Sequence, residues 1–152
     1  MTLDHKIPPP VVGLALATAM WFAAGVGPAL PLPAQARHLA TIVLVIAGLG
    51  FDLAGLLAFR ARRTTVNPLS PQRASALVTG GVYRITRNPM YVGMACLLLA
   101  WALYLGAWLA LAGPVLFVLF ITRFQIRPEE RVLQGLFGAE YFAYCARVRR
   151  WL

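Results

Sequence analysis

Long apolar stretches alternate with polar segments along the chain. Residues 11–30 contain no charged side chain, and residues 39–59 contain a single carboxylate, Asp52. A helix that crosses a membrane needs about 20 mainly apolar residues. Each of these two stretches is therefore predicted to form a transmembrane helix.

A third apolar stretch, residues 89–124, is too long for a single crossing. Gly106, Ala107 and Trp108 interrupt it near its middle. Glycine weakens a helix and permits tight turns. The pattern therefore predicts a hairpin of two short transmembrane helices, over residues 89–105 and 108–124.

These four helices define the predicted fold class, an all-α integral membrane protein with a single domain over residues 1–152. A polar loop over residues 60–88 connects the second and third helices. The tail, residues 125–152, has apolar side chains at helical spacing and is predicted to form cytoplasmic helices. Gly138 marks a predicted break between two of them.

The composition supports a membrane location. The chain has 152 residues, of which 60% are hydrophobic and 12% are charged. Soluble domains are about 45–50% apolar and about 25% charged. A formal net charge of +9 in a soluble protein would suggest nucleic acid, but here the arginines flank apolar stretches. They are attributed to orientation in the membrane and to contact with membrane lipids, and no nucleic-acid partner is predicted.

The distribution of basic residues predicts the orientation. With four spans, the N-terminus, the polar loop and the tail lie on the same side of the membrane. Of the 14 Lys and Arg residues, only Arg37 then lies on the other side. Because basic segments stay in the cytoplasm, both termini are predicted to be cytoplasmic.

The segment RNPMY, residues 87–91, has polar side chains at the start of the third predicted helix. Pro89 suits the first turn of a helix, and a helix N-terminus attracts carboxylates. Arg84 and Arg87 would strengthen that positive field. Taken singly, however, the arginines can anchor a helix at the membrane surface, and Tyr83 and Tyr91 can be interfacial aromatics.

Three of the five acidic residues lie in the tail. Glu129 and Glu130 follow Pro128 and open a tail helix, where acids complement the helix dipole. They also come directly after the predicted membrane exit, at the same height as RNPMY. A zwitterion with an extra positive charge could then meet arginines on one side and carboxylates on the other.

Asp52 is the remaining acid of interest. An ionisable side chain inside a membrane-spanning helix costs free energy and often has a function. It can form a structural hydrogen bond between helices or line a substrate cavity, and the sequence leaves both open.

Cys96 and Cys145 have no metal-ligand spacing, and no metal site is predicted. Phosphate-binding loops and nucleophile elbows are absent from the sequence, which disfavours an NTPase or a hydrolase.

The segments LVTGGVYRITRNPMYVG and PEERVLQGLFGAEYFAYCARV, separated by the apolar hairpin, resemble the isoprenylcysteine carboxyl methyltransferase family. These integral membrane enzymes use S-adenosylmethionine and are related to phospholipid methyltransferases. The resemblance covers residues 73–148. It implies S-adenosyl-L-methionine as cofactor, in a cytoplasm-facing pocket between the loop and the tail. The contacts that it implies are Ser75, Ala76, Leu77, Val78, Tyr83, Asn88, Pro89, Met90, Tyr91, Glu129 and Glu130.

Two positions depart from the family pattern. Asn88 stands where the family frequently has histidine, and asparagine cannot titrate near neutral pH. Gln125 stands where the eukaryotic enzymes have an arginine that binds the substrate carboxylate. The flanking Arg123 and Arg127 are the candidates for positioning the substrate here.

The resemblance implies methyl transfer to an amphiphilic small molecule or lipid, with a carboxylate or a thiol as the expected acceptor group. The short chain is similar to prokaryotic members, which predicts the inner membrane. Two alternatives stay open. One is a non-catalytic lipid-binding membrane protein, and the other is a membrane reductase that uses NADPH.

Overall fold

Helices begin and end at prolines and glycines along much of the chain. The computed structural model describes residues 6–61 and 77–152. The described helices are α1 (Pro9–Ala24), α2 (Ala34–Ala61), α3 (Pro89–Leu105), α4 (Ala112–Ile121) and α5 (Arg127–Arg147). Shorter 3₁₀ turns cover Gly81–Arg84 and Trp108–Leu111, and a π-helical turn covers Thr122–Ile126. The all-α prediction is confirmed for the described residues.

The bounds of α3 are those predicted from the sequence. Pro89 occupies the start of the helix, where its missing N–H costs no hydrogen bond. Gly106 ends it with a φ of 67°, a left-handed conformation that favours glycine. The Gly106 N–H donates to the carbonyl of Ala102 at 3.1 Å, which satisfies one of the last carbonyls of the helix.

The first helix is shorter than the predicted span, because the segment after α1 pairs with the turn between α3 and α4. The Leu30 N–H donates to the Gly106 carbonyl at 2.8 Å, and the Trp108 N–H donates to the Pro28 carbonyl at 3.1 Å. These long-range bonds satisfy the extended backbone without a helix.

Within residues 6–61 and 77–152, two helices are long and apolar enough to cross a membrane, namely α2 and a 40-residue helical run over Trp108–Arg147. Helices α1 and α3 are apolar but shorter. Many large apolar side chains point outward; Phe22 is 71% exposed, for example, and Ile46 is 65% exposed. Such continuous apolar surface suits lipid contact, and the count of four spans stays a prediction.

The run over Trp108–Arg147 connects the membrane part to the tail without a loop. Helix α4 passes through the π-helical turn directly into α5. Within α5, Gly138 has a φ of 47° and a ψ of −120°, which interrupts the helix. The predicted break at this glycine is confirmed.

Small residues bring α2 and α3 close together. A β-carbon at Gly48 would lie 2.9 Å from the Gly93 carbonyl oxygen, and one at Gly55 would lie 2.8 Å from the Met90 side chain. The Thr41 hydroxyl donates across the same interface to the Ala100 carbonyl at 3.4 Å. The contacts show that α2 and α3 run antiparallel, with Gly55 beside the start of α3.

Replacing Gly48 by alanine is expected to lower the thermal unfolding temperature of the protein in detergent. The added methyl group would press on backbone at Gly93, which cannot move without separating the helices. Gly50→Ala is the matched control, since a β-carbon there meets no atom within 4 Å. Equal unfolding temperatures for the two variants would contradict the close α2–α3 contact.

Candidate functional site

The start of α3 and the start of α5 meet, as the sequence predicts. The Tyr91 hydroxyl donates a hydrogen bond to Oε1 of Glu129 at 2.7 Å. Nearby, Nη2 of Arg87 lies 3.0 Å from Oε1 of Glu130. The RNPMY segment and the two tail acids therefore lie at the same end of the helical structure, in direct contact.

A second tyrosine, Tyr83, lies near the Glu129 carboxylate. Tyr83, in the 3₁₀ turn before α3, is buried and packs edge-on against Phe59 of α2, with ring centroids 5.4 Å apart. The Tyr144 hydroxyl donates to the Tyr83 carbonyl at 2.7 Å. Burial raises the pKa of Tyr83, and the nearby Tyr144 and Glu129 add to the shift. Tyr83 is therefore a neutral phenol at physiological pH.

The Glu129 carboxylate lies in a buried, largely apolar environment. Burial raises its pKa to about 7, Glu130 adds to this shift, and the hydrogen bond from Tyr91 opposes it. No cationic side chain contributes to this pKa shift. A cationic group placed beside this carboxylate would stabilise its ionised form.

Glu130 has a different environment from its neighbour. Nε and Nη2 of Arg150 donate to its two carboxylate oxygens at 2.9 and 2.7 Å, in a bidentate pair. With Arg87 on its other side, Glu130 bridges two guanidinium groups. Its charge is balanced within the protein, so Glu129 rather than Glu130 is the acid available to a cationic ligand.

The residues that follow α5 return to the start of α3. We call residues 149–151 the C-terminal strap. The Arg87 N–H donates to the Arg149 carbonyl at 2.9 Å. The Arg150 carbonyl accepts from the Thr86 hydroxyl at 3.2 Å and from Nδ2 of Asn88 at 2.9 Å. The Asn88 amide therefore orients backbone at the helix start.

The strap also reaches the membrane part of the chain. Nε1 of Trp151 donates to the Thr122 hydroxyl at 3.1 Å, in the π-helical turn. Sequence reasoning missed this role, because a basic and aromatic segment after a helix resembles an ordinary membrane-surface anchor. The sequence pattern does not distinguish these two roles.

The predicted substrate-positioning arginines lie around a buried glutamine. Gln125 is fully buried, and its Nε2 donates to the Ile7 carbonyl at 2.7 Å, which fastens the N-terminal segment to the π-helical turn. Arg123 and Arg127 are exposed, and the Arg123 guanidinium lies over the Phe124 ring at 5.2 Å. Their role in binding a substrate stays a prediction.

The remaining predicted contacts are placed as follows. Ser75 and Ala76 lie outside the described residues. Val78 is buried and Leu77 is half-buried, just before the 3₁₀ turn. Pro89 is buried, and Met90 packs against Gly55 of α2.

A cavity of about 360 Å³ lies on the tail side of the 3₁₀ turn. Its lining residues are Thr79, Gly80, Arg84, Tyr144, Arg147 and Val148. None of the residues predicted to contact the cofactor lines it, so it is separate from the Tyr91–Glu129 pair.

Comparison with known proteins agrees with the predicted resemblance. The profile of a family described as phospholipid methyltransferase matches residues 36–140. This family is related to the isoprenylcysteine carboxyl methyltransferases, so the resemblance is confirmed. An uncharacterized protein of Haemophilus influenzae is 49% identical over 63 residues, which are 41% of this chain and 100% of the relative. No solved structure matches the chain significantly.

Proposed function

Because the chain belongs to the phospholipid methyltransferase family, whose members are membrane methyltransferases, we propose that it transfers a methyl group from S-adenosyl-L-methionine to an amphiphilic acceptor. The proposed site lies at the cytoplasmic face of the prokaryotic inner membrane, where the polar loop and the tail meet. The four-span topology with both termini in the cytoplasm is part of the same proposal.

The contact between Tyr91 and Glu129 carries this proposal. It joins the helix start that would attract a carboxylate to the acid that would attract an ammonium group. The charge pattern suits the amino-acid part of S-adenosylmethionine. The described side chains of α3 provide no cap for its first turn, which leaves the helix start available to an anion.

The neighbouring residues suit the rest of such a ligand. S-adenosylmethionine supplies an activated methyl group on a sulfonium, and aromatic faces tolerate cations of this kind. Tyr83 lies near the Glu129 carboxylate and packs against Phe59. The burial of Glu129 strengthens its attraction for a cation. The residues present therefore fit the proposed cofactor.

The Asn88 side chain has a positioning role in this proposal. Its bond to the Arg150 carbonyl fixes the residue before Pro89, so the start of α3 is held ready for a ligand. Pre-positioning of this kind lowers the entropic cost of binding and of reaction. Since asparagine does not titrate, Asn88 moves no proton.

Calorimetry with S-adenosylhomocysteine tests the proposed function directly. The protein in detergent is expected to bind this demethylated product, and NADPH at the same concentration is expected not to displace it. Displacement by NADPH would favour a reductase. An absence of binding heat at millimolar S-adenosylhomocysteine would favour a non-catalytic lipid-binding protein.

A further inference from the structure

Asp52 lies beneath the proposed cofactor site, within the α2–α3 interface. Gly55, one turn further along α2, contacts the start of α3 at Met90. Asp52 is therefore about 5 Å deeper along the helix axis than that contact. Its carboxylate fills the space that a β-carbon at Gly93 would take. A reactive group that approaches the site from the membrane would pass at this depth.

The Asp52 carboxylate is half-buried. None of residues 6–61 and 77–152 donates a hydrogen bond to it or pairs with it as a cation. Asp52 is close enough to Cys96, one turn after Gly93 on α3, to affect that thiol electrostatically. An inter-helix hydrogen bond to a described residue, the structural alternative, is therefore not formed. An acid kept inside a span without such a partner indicates a functional role.

We propose that Asp52 binds the acceptor and takes up its proton, and that the acceptor is a nucleophile that carries a proton, such as a thiol or an amine. This inference rests on the proposed methyl transfer. A carboxylate acceptor would face a like charge at Asp52 and has no proton to give. A thiol or an ammonium group would donate a hydrogen bond to the carboxylate and be held beneath the methyl donor.

The proposed step conserves atoms and charge. The acceptor's S–H or N–H bond breaks, and its proton moves to an oxygen of Asp52. The freed lone pair forms a bond to the methyl carbon, while the sulfonium sulfur keeps the electron pair of the broken C–S bond. The proton then leaves Asp52 for water, which restores the carboxylate for the next turnover.

Asp52→Asn is the informative variant, because it keeps the size of the side chain and removes its basicity. Transfer of a labelled methyl group to dodecanethiol or dodecylamine is expected to fall by about 100-fold or more. S-adenosylhomocysteine binding is expected to stay unchanged. Asp52→Glu should restore part of the transfer, and Glu140→Gln, an exposed acid on α5, should match the unmodified protein.

A binding measurement separates this role from a merely structural one. With S-adenosylhomocysteine present, dodecylamine is expected to raise the unfolding temperature of the unmodified protein and not that of Asp52→Asn. Equal transfer by Asp52→Asn, or a preference for dodecanoate as acceptor, would overturn the role of Asp52 while leaving the methyltransferase intact. Failure of the unmodified protein to bind S-adenosylhomocysteine would instead overturn the proposed function.

Discussion

Replacing Glu129 by glutamine is expected to weaken the binding of S-adenosylhomocysteine by about tenfold to 100-fold. Glutamine can still accept the hydrogen bond from Tyr91 but has no charge for the ligand's ammonium group. A hydrogen bond to a charged group contributes about 1.5–3 kcal/mol, and about 1.4 kcal/mol corresponds to a tenfold change in affinity. Titration calorimetry on the protein in detergent would measure the change.

The pH dependence of this binding provides an internal control. The pKa of Glu129 in the ligand-free protein is raised to about 7 by burial, and a cation binds the ionised form. Between pH 5.5 and pH 7.5 the affinity should therefore rise with pH, with a loss of about tenfold for each unit below the pKa. Glu129→Gln should flatten this dependence. A dependence that persists in the variant would show that another group is responsible.

The raised pKa of Glu129 also predicts how the stability of the ligand-free protein changes with pH. A carboxyl whose pKa is raised on folding binds a proton more tightly in the folded state. The stability that the Glu129 carboxyl contributes is therefore fully present below about pH 4.5, the ordinary pKa of glutamate. It is lost as the pH rises through about 7. Bound S-adenosylhomocysteine should reverse this trend, because its ammonium group favours the carboxylate.

Replacing Glu130 by alanine is expected to lower the free energy of unfolding by about 3 kcal/mol. The side chains of Glu130 and Arg87 are each only 13% exposed, and removal of one member of such a pair leaves a poorly solvated charge. Here two guanidinium groups, those of Arg87 and Arg150, would be left facing each other. Thermal unfolding in detergent would measure the loss.

Glu140→Ala is the matched control for this prediction. Glu140 lies on the same helix and is exposed, so its removal should change stability by no more than about 0.5 kcal/mol. If the two variants unfold at the same temperature, the network around Glu130 does not hold the strap. A Glu130→Ala variant that is destabilised yet binds S-adenosylhomocysteine at saturation would assign Glu130 to structure alone.

Features encoded by neighbouring residues could be predicted from the sequence. Pro89 and Gly106 delimit α3, and Gly138 interrupts α5, because each acts through its own backbone preference. The meeting of RNPMY with the tail acids was also predictable. It required only that both segments lie on the same side of the membrane, which the arginine distribution indicates.

Features formed by distant residues could not be predicted in this way. Helix α1 ends at Ala24, although the apolar pattern continues, because Pro28 and Leu30 pair with the turn after α3. Likewise, Arg150 meets Asn88 through its backbone carbonyl, and a carbonyl is the same in every residue. The different environments of Glu129 and Glu130 depend on these contacts, so two adjacent glutamates could not be told apart.

The helical run from Trp108 to Glu129, which contains no loop, has a mechanical consequence. The helix that would cross the bilayer continues into the one that presents Glu129, with no flexible linker between them. A bilayer thicker or thinner than the apolar part of this helix would make it tilt. Tilting would shift the Glu129 carboxylate relative to Tyr91. The thickness of the host membrane would therefore regulate the geometry of the proposed site.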